Sequence, residues 1–427
     1  SNTNTAVGRE AMSQTLSDTE NVALGAGAME LSTASHLNVV IGRGAMNSVL
    51  TANRNVAVGY YSLESFVGTS NTYNTALGFY AAKDLTTGVN NTILGASNDG
   101  HSLTTGSNNT FVGYQAGDSV TTGQGSVIIG ADAGQSFDTE SYVTVVGHDA
   151  FKDAVGDQYA IAIGYRALAD SDATGGQNVA MGQSAGRYFG SSTSDSVVIG
   201  GSAGAGSSST AFGGTSVVAI GGGAIQELVS GSGVVALGRN ALNETVSGNQ
   251  SVAIGSAAGR YALNSVEDIW IGSNAGTYAG TGASGESRKN IGIGVQAGRK
   301  LGSGSSVAST GNVAIGNDAM GEVAIGDYNV AIGWGAASGA TDYGDHSVAI
   351  GYLAGKINTG DSNVMIGSQA ARDTTGGNNV IIGQGAAASA TTMDASTIIG
   401  RQAAGGSVPT GDYNTILGYQ GGYALNG

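Results

Sequence analysis

Asn21-Val22-Ala23-Leu24-Gly25-Ala26-Gly27-Ala28 decides the fold, because the same phrase returns along the whole chain. Asn329-Val330-Ala331-Ile332-Gly333-Trp334-Gly335-Ala336 is another copy. Its terms are a small polar residue, a β-branched one, a small one, a larger aliphatic, glycine, two variable residues and alanine. Twenty-four copies carry the key glycine from Gly8 to Gly418. The 23 steps between them cover 410 residues, and twelve steps are 17 residues long and five are 18. A fixed period over a whole chain is the mark of a solenoid, in which each repeat contacts only its neighbours. Helix-containing repeats need about 20 to 45 residues. This shorter period fits one coil of two or three short strands joined by tight turns.

Composition agrees. A length of 427 residues would ordinarily suggest two or three domains. Stacked coils allow one continuous β-roll over 1–427 instead, with irregular coils near 200–221 and 272–333. Glycine occurs 75 times and proline once, without a glycine at every third position, so collagen is excluded. The apolar fraction is 41%, and its residues recur at fixed positions, which a disordered chain does not require. Cysteine is absent, which rules out disulfides and thiolate metal sites. The net charge of −15 repels phosphate backbones, so no nucleic-acid partner is expected. No apolar run is long enough to span a membrane, and none is expected to insert. The phrase begins at Asn4 with no cap before it, as in the interior of a longer protein.

Within the phrase, the residue three before the glycine is Val, Ile or Thr in all 24 copies, and the one just before it is a larger aliphatic. These two positions share one face of a strand. The pattern therefore predicts that this pair fills the coil's own core, with Ile254 among the core residues. The small residue between them, usually alanine, then faces a second layer or chain at close approach. The glycine supplies a positive φ or a corner without a side chain. The first position is Asn in 14 copies and Ser in five, which suits a stacked polar ladder. Alanine three residues after the glycine marks a second tight packing position. Strands stacked about 4.8 Å apart would give 24 coils a length of roughly 115 Å. The long steps before Gly78, Gly221, Gly294 and Gly316 fit insertions on one face. Ala211-Phe212-Gly213 and Glu322-Val323-Ala324-Ile325-Gly326 look like partial extra copies at local register breaks.

Ser251-Val252-Ala253-Ile254-Gly255 and Ser347-Val348-Ala349-Ile350-Gly351 resemble the head repeats of YadA-like trimeric autotransporter adhesins. Thr104-Thr105-Gly106-Ser107-Asn108-Asn109-Thr110-Phe111-Val112-Gly113-Tyr114-Gln115-Ala116-Gly117 is similar to the variant found in bacteriophage tail fibres. The resemblance covers essentially the whole chain. It implies an all-β fold, a left-handed parallel β-roll or β-solenoid wound as a homotrimeric fibre. It also implies a mechanical and adhesive role: the shaft or distal segment of a tail fibre on a virion, presenting recognition of a host cell-surface glycan or protein. Other fibre or virion proteins would join it at its ends. An adhesin head on a bacterial outer surface, binding matrix or cells, is the alternative, and a polysaccharide-degrading tailspike is a third. The coils are longer than those of most adhesin heads, and no coiled-coil stalk or membrane barrel is visible.

Neither catalytic residues, a cofactor nor a metal is expected, and the receptor-binding residues are unknown from sequence. His36, His101, His148 and His346 lie far apart, without metal-ligand spacing. Gly292 to Gly298 approaches a dinucleotide fingerprint, but the last glycine is one residue late and the phrase is a rung corner. Gly351 to Lys356 is one residue short of a phosphate loop, with Ile357 where a hydroxyl is needed. Glu267-Asp268 lacks a matched partner for two-carboxylate catalysis, which also needs a cleft. Tyr60, Phe79, Tyr114, Tyr165, Trp334, Tyr352 and Tyr419 directly follow key glycines. They either contact glycans or stack on one another as packing.

Overall fold

A computed structural model describes residues 3–96, 100–136, 138–281, 287–303, 308–389, 392–406 and 411–422. Asn98, which stands where most copies have the alanine after the corner, and the single Pro409 lie outside the described residues. The described residues are all-β, with no helix among them, and form a parallel β-solenoid. Two compact units divide it, Ser1–Thr215 and Ser216–Gly427.

In the first unit, twelve copies of the phrase form three-residue strands, from Thr5–Val7 to Val197–Ile199. Within the unit, successive copies pair in parallel and in identical register: Val22 with Val39, Ala23 with Val40, Leu24 with Ile41. The second unit repeats this with twelve strands from Val218–Ile220 to Thr415–Leu417. There Val252, Ala253 and Ile254 face Ile269, Trp270 and Ile271. A shorter ladder forms on a second leg of the coil, for example Ser230–Ser232 on Ser247–Asn249 in the second unit and Thr51–Asn53 on Thr69–Asn71 in the first.

The strands are short because glycine ends each one. Twenty-three of the 24 key glycines, all but Gly95, hold φ between +111° and +144°. A Cβ on Gly8 would lie 2.5 Å from the carbonyl oxygen of Gly25, and one on Gly333 would lie 2.5 Å from that of Gly351. Both proposed reasons for the glycine hold: backbone conformation and close approach. The turn that follows alternates in and out of the left-handed region, as at Tyr61 (51°) and Leu63 (52°). Such φ values are costly for residues with a side chain. Backbone hydrogen bonds to the adjoining coils hold them in place, such as Tyr61 N donating to Arg43 O at 3.0 Å.

The first phrase position builds the expected ladder. Asn38 N donates to Asn21 Oδ1 at 2.9 Å, and Asn55 N donates to Asn38 Oδ1 at 2.8 Å. The Asn38 amide crosses the coil to Ala52 O at 2.9 Å, tying the two legs together. Asn21, Asn38 and Asn55 are fully or almost fully buried, so each polar atom needs its partner inside.

The strand's orientation corrects the sequence reading. The central residue points inward: Ala23, Ala57 and Ala253 are 0% exposed, whereas Leu24 is 45% and Ile254 36% exposed. The flanking aliphatics therefore form an outward stripe, and the small residue faces the coil's own core. The interior is narrow, and other side chains already fill it. The alanine after the corner (Ala28, Ala45), the next residue (Met29, Met46) and the second leg (Val49, Phe66, Leu85) are all buried. Core volume is traded between these positions. Where the central residue is Trp270, a Cβ on Gly276, Gly292 or Gly298 would run into its indole.

The partial copies are not rungs of the strand ladder. Phe212 bridges to Phe189, and their rings stack at 5.0 Å in the core of the first unit. In the second unit, Val323 is buried and Ile325 bridges to Asp342, so this segment also lies on the second leg. Positions 282–286 and 304–307, within the two 22-residue steps, lie outside the described residues.

Two substitutions test this arrangement. Gly333→Ala should cost at least about 2 kcal/mol from its φ and the Gly351 contact together. Gly201→Ala, where a Cβ meets nothing within 4 Å, should be near neutral; equal melting shifts for the two would contradict the corner packing. Ala253→Asp buries an unpaired charge and should lose on the order of 4 kcal/mol, measured by thermal melting, far more than Ile254→Asp.

Candidate functional site

Because the register is constant, side chains at one repeat position form columns that run from coil to coil. The column directly after the key glycine carries the aromatic residues noted in the sequence. Tyr60 stacks on Phe79 at 5.2 Å, and Trp334 on Tyr352 at 5.2 Å. Tyr165 tilts against His148 at 5.8 Å, and Arg401 lies 5.8 Å over Tyr419. Phe79, Tyr114, Tyr165, Trp334, Tyr352 and Tyr419 are all exposed, and Tyr60 is half-buried. The expected stacking is present between adjoining coils. Each stacked pair also leaves ring surface facing solvent.

Further aromatic pairs escaped the sequence reading. Tyr61 and Tyr80 stack at 6.1 Å two residues after the glycine. Tyr142 and Tyr159 stack at 5.6 Å on the residue before the polar ladder. These positions hold φ near +51° to +61°, where propensity favours Gly or Asn, so tyrosine gave no signal there. The common period was the signal available.

The histidines stay apart, each with a partner in an adjoining coil. His36 meets Thr19 Oγ1 at 2.8 Å, His101 meets Asp84 at 3.4 Å, and His346 stacks on Tyr328 at 5.4 Å. His148 joins Asp132 and Asp149 in a group whose possible ligand atoms lie within 4.8 Å of one another. Sequence spacing did not reveal this group, because the coil period brings residues 132 and 149 together. Burial alone would raise the Asp149 carboxyl, but hydrogen bonds from Lys152 and Arg166, each at 3.2 Å, outweigh it and hold the carboxyl low. That carboxylate is thus already neutralised by two cations, which would also repel a metal ion.

The glycine-rich phrases occupy structural positions. Gly292 lies in the strand Ile291–Ile293 against Trp270, and the segment after Gly351 is a turn. A second polar column missed from sequence consists of aspartates. Asp327 Oδ1 accepts from Thr310 N at 2.7 Å, Asp345 Oδ1 from Asp327 N at 2.7 Å, and Asp361 Oδ1 from Asp345 N at 2.8 Å.

Glu267 and Asp268 separate. Glu267 is exposed and lies 3.9 Å from Lys289 of the next coil. Asp268 is fully buried and replaces asparagine in the polar ladder. Its Oδ1 accepts from Asn290 N at 2.9 Å, and its Oδ2 from Ser265 Oγ at 2.9 Å. Desolvation pushes its pKa up to about 6 against these hydrogen bonds. Asp157, which bonds to Asn178 in the first unit, is likewise raised by burial to about 6.

No protein-family model matches this chain, and no curated protein matches it.

The Asp268 shift makes a signed prediction. A carboxyl raised from 3.8 to about 6 binds its proton more tightly in the folded state. Folded stability therefore falls as pH rises from about 4 to about 6, and above that window the full loss of about 3 kcal/mol is present. Asp268→Asn should recover most of this at pH 7 and little at pH 4, as read from denaturant midpoints at the two pH values.

Proposed function

We propose that this chain is a structural and adhesive fibre segment. It would be a homotrimer forming the shaft or distal part of a tail fibre of the kind its repeat phrase resembles, carried on a virion and presenting recognition of a host cell surface. The observation that carries this reading is the outward aliphatic stripe. Thirteen of the large apolar residues flanking the strand centres are at least 36% exposed, including Val22, Leu24, Val39, Leu77 and Ile129 in the first unit and Ile220, Ile254, Ile293 and Ile332 in the second.

Exposed apolar patches beyond a few hundred Å² mark contact surfaces on soluble proteins. Here every coil adds to the stripe, so its exposure grows with each repeat. Identical copies with closed symmetry cover such a surface in the common way, each chain offering the same residues to the next. The number three comes from the resemblance of the repeat phrase. The net charge of −15 favours solubility for a long assembly. Backbone hydrogen bonds between successive strands, such as Val22–Leu24 on Val39–Ile41, are suited to bearing load. The role is binding and mechanical, with no reaction assigned.

Light scattering on the purified chain should give three times 41.9 kDa. The double variant Ile254→Asp, Ile332→Asp should shift the mass to a single chain while the β-sheet circular dichroism persists. A wild-type chain that stays monomeric at micromolar concentration would overturn the fibre reading.

A further inference from the structure

Among the described residues, only one place in the first unit has aromatic rings in two neighbouring columns of two successive coils. Tyr60 and Phe79 stack with their planes 7° apart, and Tyr61 and Tyr80 with theirs 19° apart. Edge contact at 4.4 Å joins Tyr60 to Tyr61, and a tilted contact at 4.2 Å joins Phe79 to Tyr80. The result is a four-ring tile, with Phe79 46% exposed and its three neighbours half-buried. Arg43 lies 5.9 Å over Tyr60, and Lys83 lies 5.0 Å over Tyr80.

The tile is built on the left-handed turn position that the repeat uses in other coils as well, as at Gln115 and Asp132. Tyr61 and Tyr80 sit at φ of 51° and 59°, a conformation disfavoured for bulky residues by about 1–2 kcal/mol. The Tyr61 ring also occupies the space that a Cβ on Gly44 would need. Beside the tile lies a shallow depression of about 130 Å³, walled by Arg43 and Tyr61 and edged by Arg9, Glu30 and Asn47. Asn47 Nδ2 donates to Glu30 Oε2 at 3.0 Å and to Gly27 O at 3.1 Å, which fixes both planar groups.

We propose that the tile and the depression together bind a hydroxyl-rich polysaccharide. A sugar ring has an apolar C–H face and a rim of hydroxyls that both donate and accept. The outward surface of Phe79, the most exposed ring of the tile, matches the face. The carboxylate, amide and guanidinium of Glu30, Asn47 and Arg43 match the rim with both donors and acceptors. The depression is smaller than the ~300 Å³ at which small-molecule sites begin. A ligand therefore seats one unit there and runs on across the tile as a chain. Stacked bases would also suit aromatic rings beside cations. However, Lys83 shares its charge with Glu64 at 3.8 Å, and Glu10 and Glu30 line the depression, which opposes a phosphate backbone. The proposal rests on the adhesive-fibre reading for its biological setting, since it names the class of receptor that reading leaves open.

The test is affinity electrophoresis of the full chain through gels containing dextran, galactomannan, glycol chitin or alginate. At least one should retard the wild-type chain, with an apparent Kd between about 1 μM and 1 mM. Tyr61→Ala and Phe79→Ala should each weaken that retardation at least tenfold while the thermal melting curve stays unchanged for the exposed Phe79 variant. Absence of retardation in all four gels, retardation of both variants equal to that of the wild-type chain, or tighter binding to a thymidine 20-mer would each overturn the proposal. Light scattering on the same samples separates the two readings. A retarded monomer keeps the site and removes the trimer, whereas an unretarded trimer removes the site alone.

Discussion

Everything in this fold depends on how closely one glycine corner sits on the next. At most key glycines, Gly8 to Gly78 and Gly221 to Gly400 among them, the backbone of one coil lies against the carbonyl of the following one, with no room for a Cβ. That contact fixes the axial rise, and the rise brings each strand within hydrogen-bonding distance of its neighbour. A positive φ there turns the chain sharply after only three strand residues. A longer strand would widen the coil and require a larger core. With the corner set, the interior can hold one small strand residue, an alanine and a few larger side chains from the other leg.

The polar ladder follows from the same spacing. A buried asparagine would ordinarily be a liability, because its amide must leave water. Here the coil above supplies a backbone donor, and the opposite leg of the next coil supplies an acceptor. The ladder thus locks register by satisfaction of buried groups, since a slip of one residue would leave every amide unpaired. Asp268 shows the constraint from the other side. It keeps the acceptor role of asparagine and brings a charge with it, so burial shifts its titration instead of breaking the ladder.

Much of this was legible in residue spacing alone. The period, the glycine corners, the stacked asparagines and the packed alanine after the corner each leave a signal that recurs along the whole chain. The direction of the strand did not. A three-residue strand that is apolar at every position has no alternation to show which face is buried, and the larger side chains suggested the wrong face. The inner space was already occupied by Met29, Met46, Phe66 and Leu85 from elsewhere in the coil, and only assembly of both legs reveals that. Tyr61 and Tyr80 were hidden for a different reason. They sit in left-handed positions that propensity reserves for glycine or asparagine, and backbone bonds from adjoining coils override that preference. The Asp132, His148 and Asp149 group was hidden because one turn of the solenoid separates its members in sequence.

A scaffold this uniform changes where specificity has to be sought. Positions that obey the repeat are explained by the need to stack, and they differ little from one coil to the next. Information about a partner can reside only in departures that the ladder does not require. Some departures are compensated internally, as where Trp270 is matched by glycines on adjoining coils. Such a change conserves core volume and says nothing about the surface. Others place large rings at the surface, as at Tyr61 and Tyr80, on a left-handed turn position that other coils fill with residues such as Gln115, Asp132 or Leu353, and no core vacancy accounts for them. The two kinds are separated by burial. A compensated departure has its side chain wholly inside, whereas an uncompensated one keeps part of its surface in water, where only a ligand or another chain can meet it.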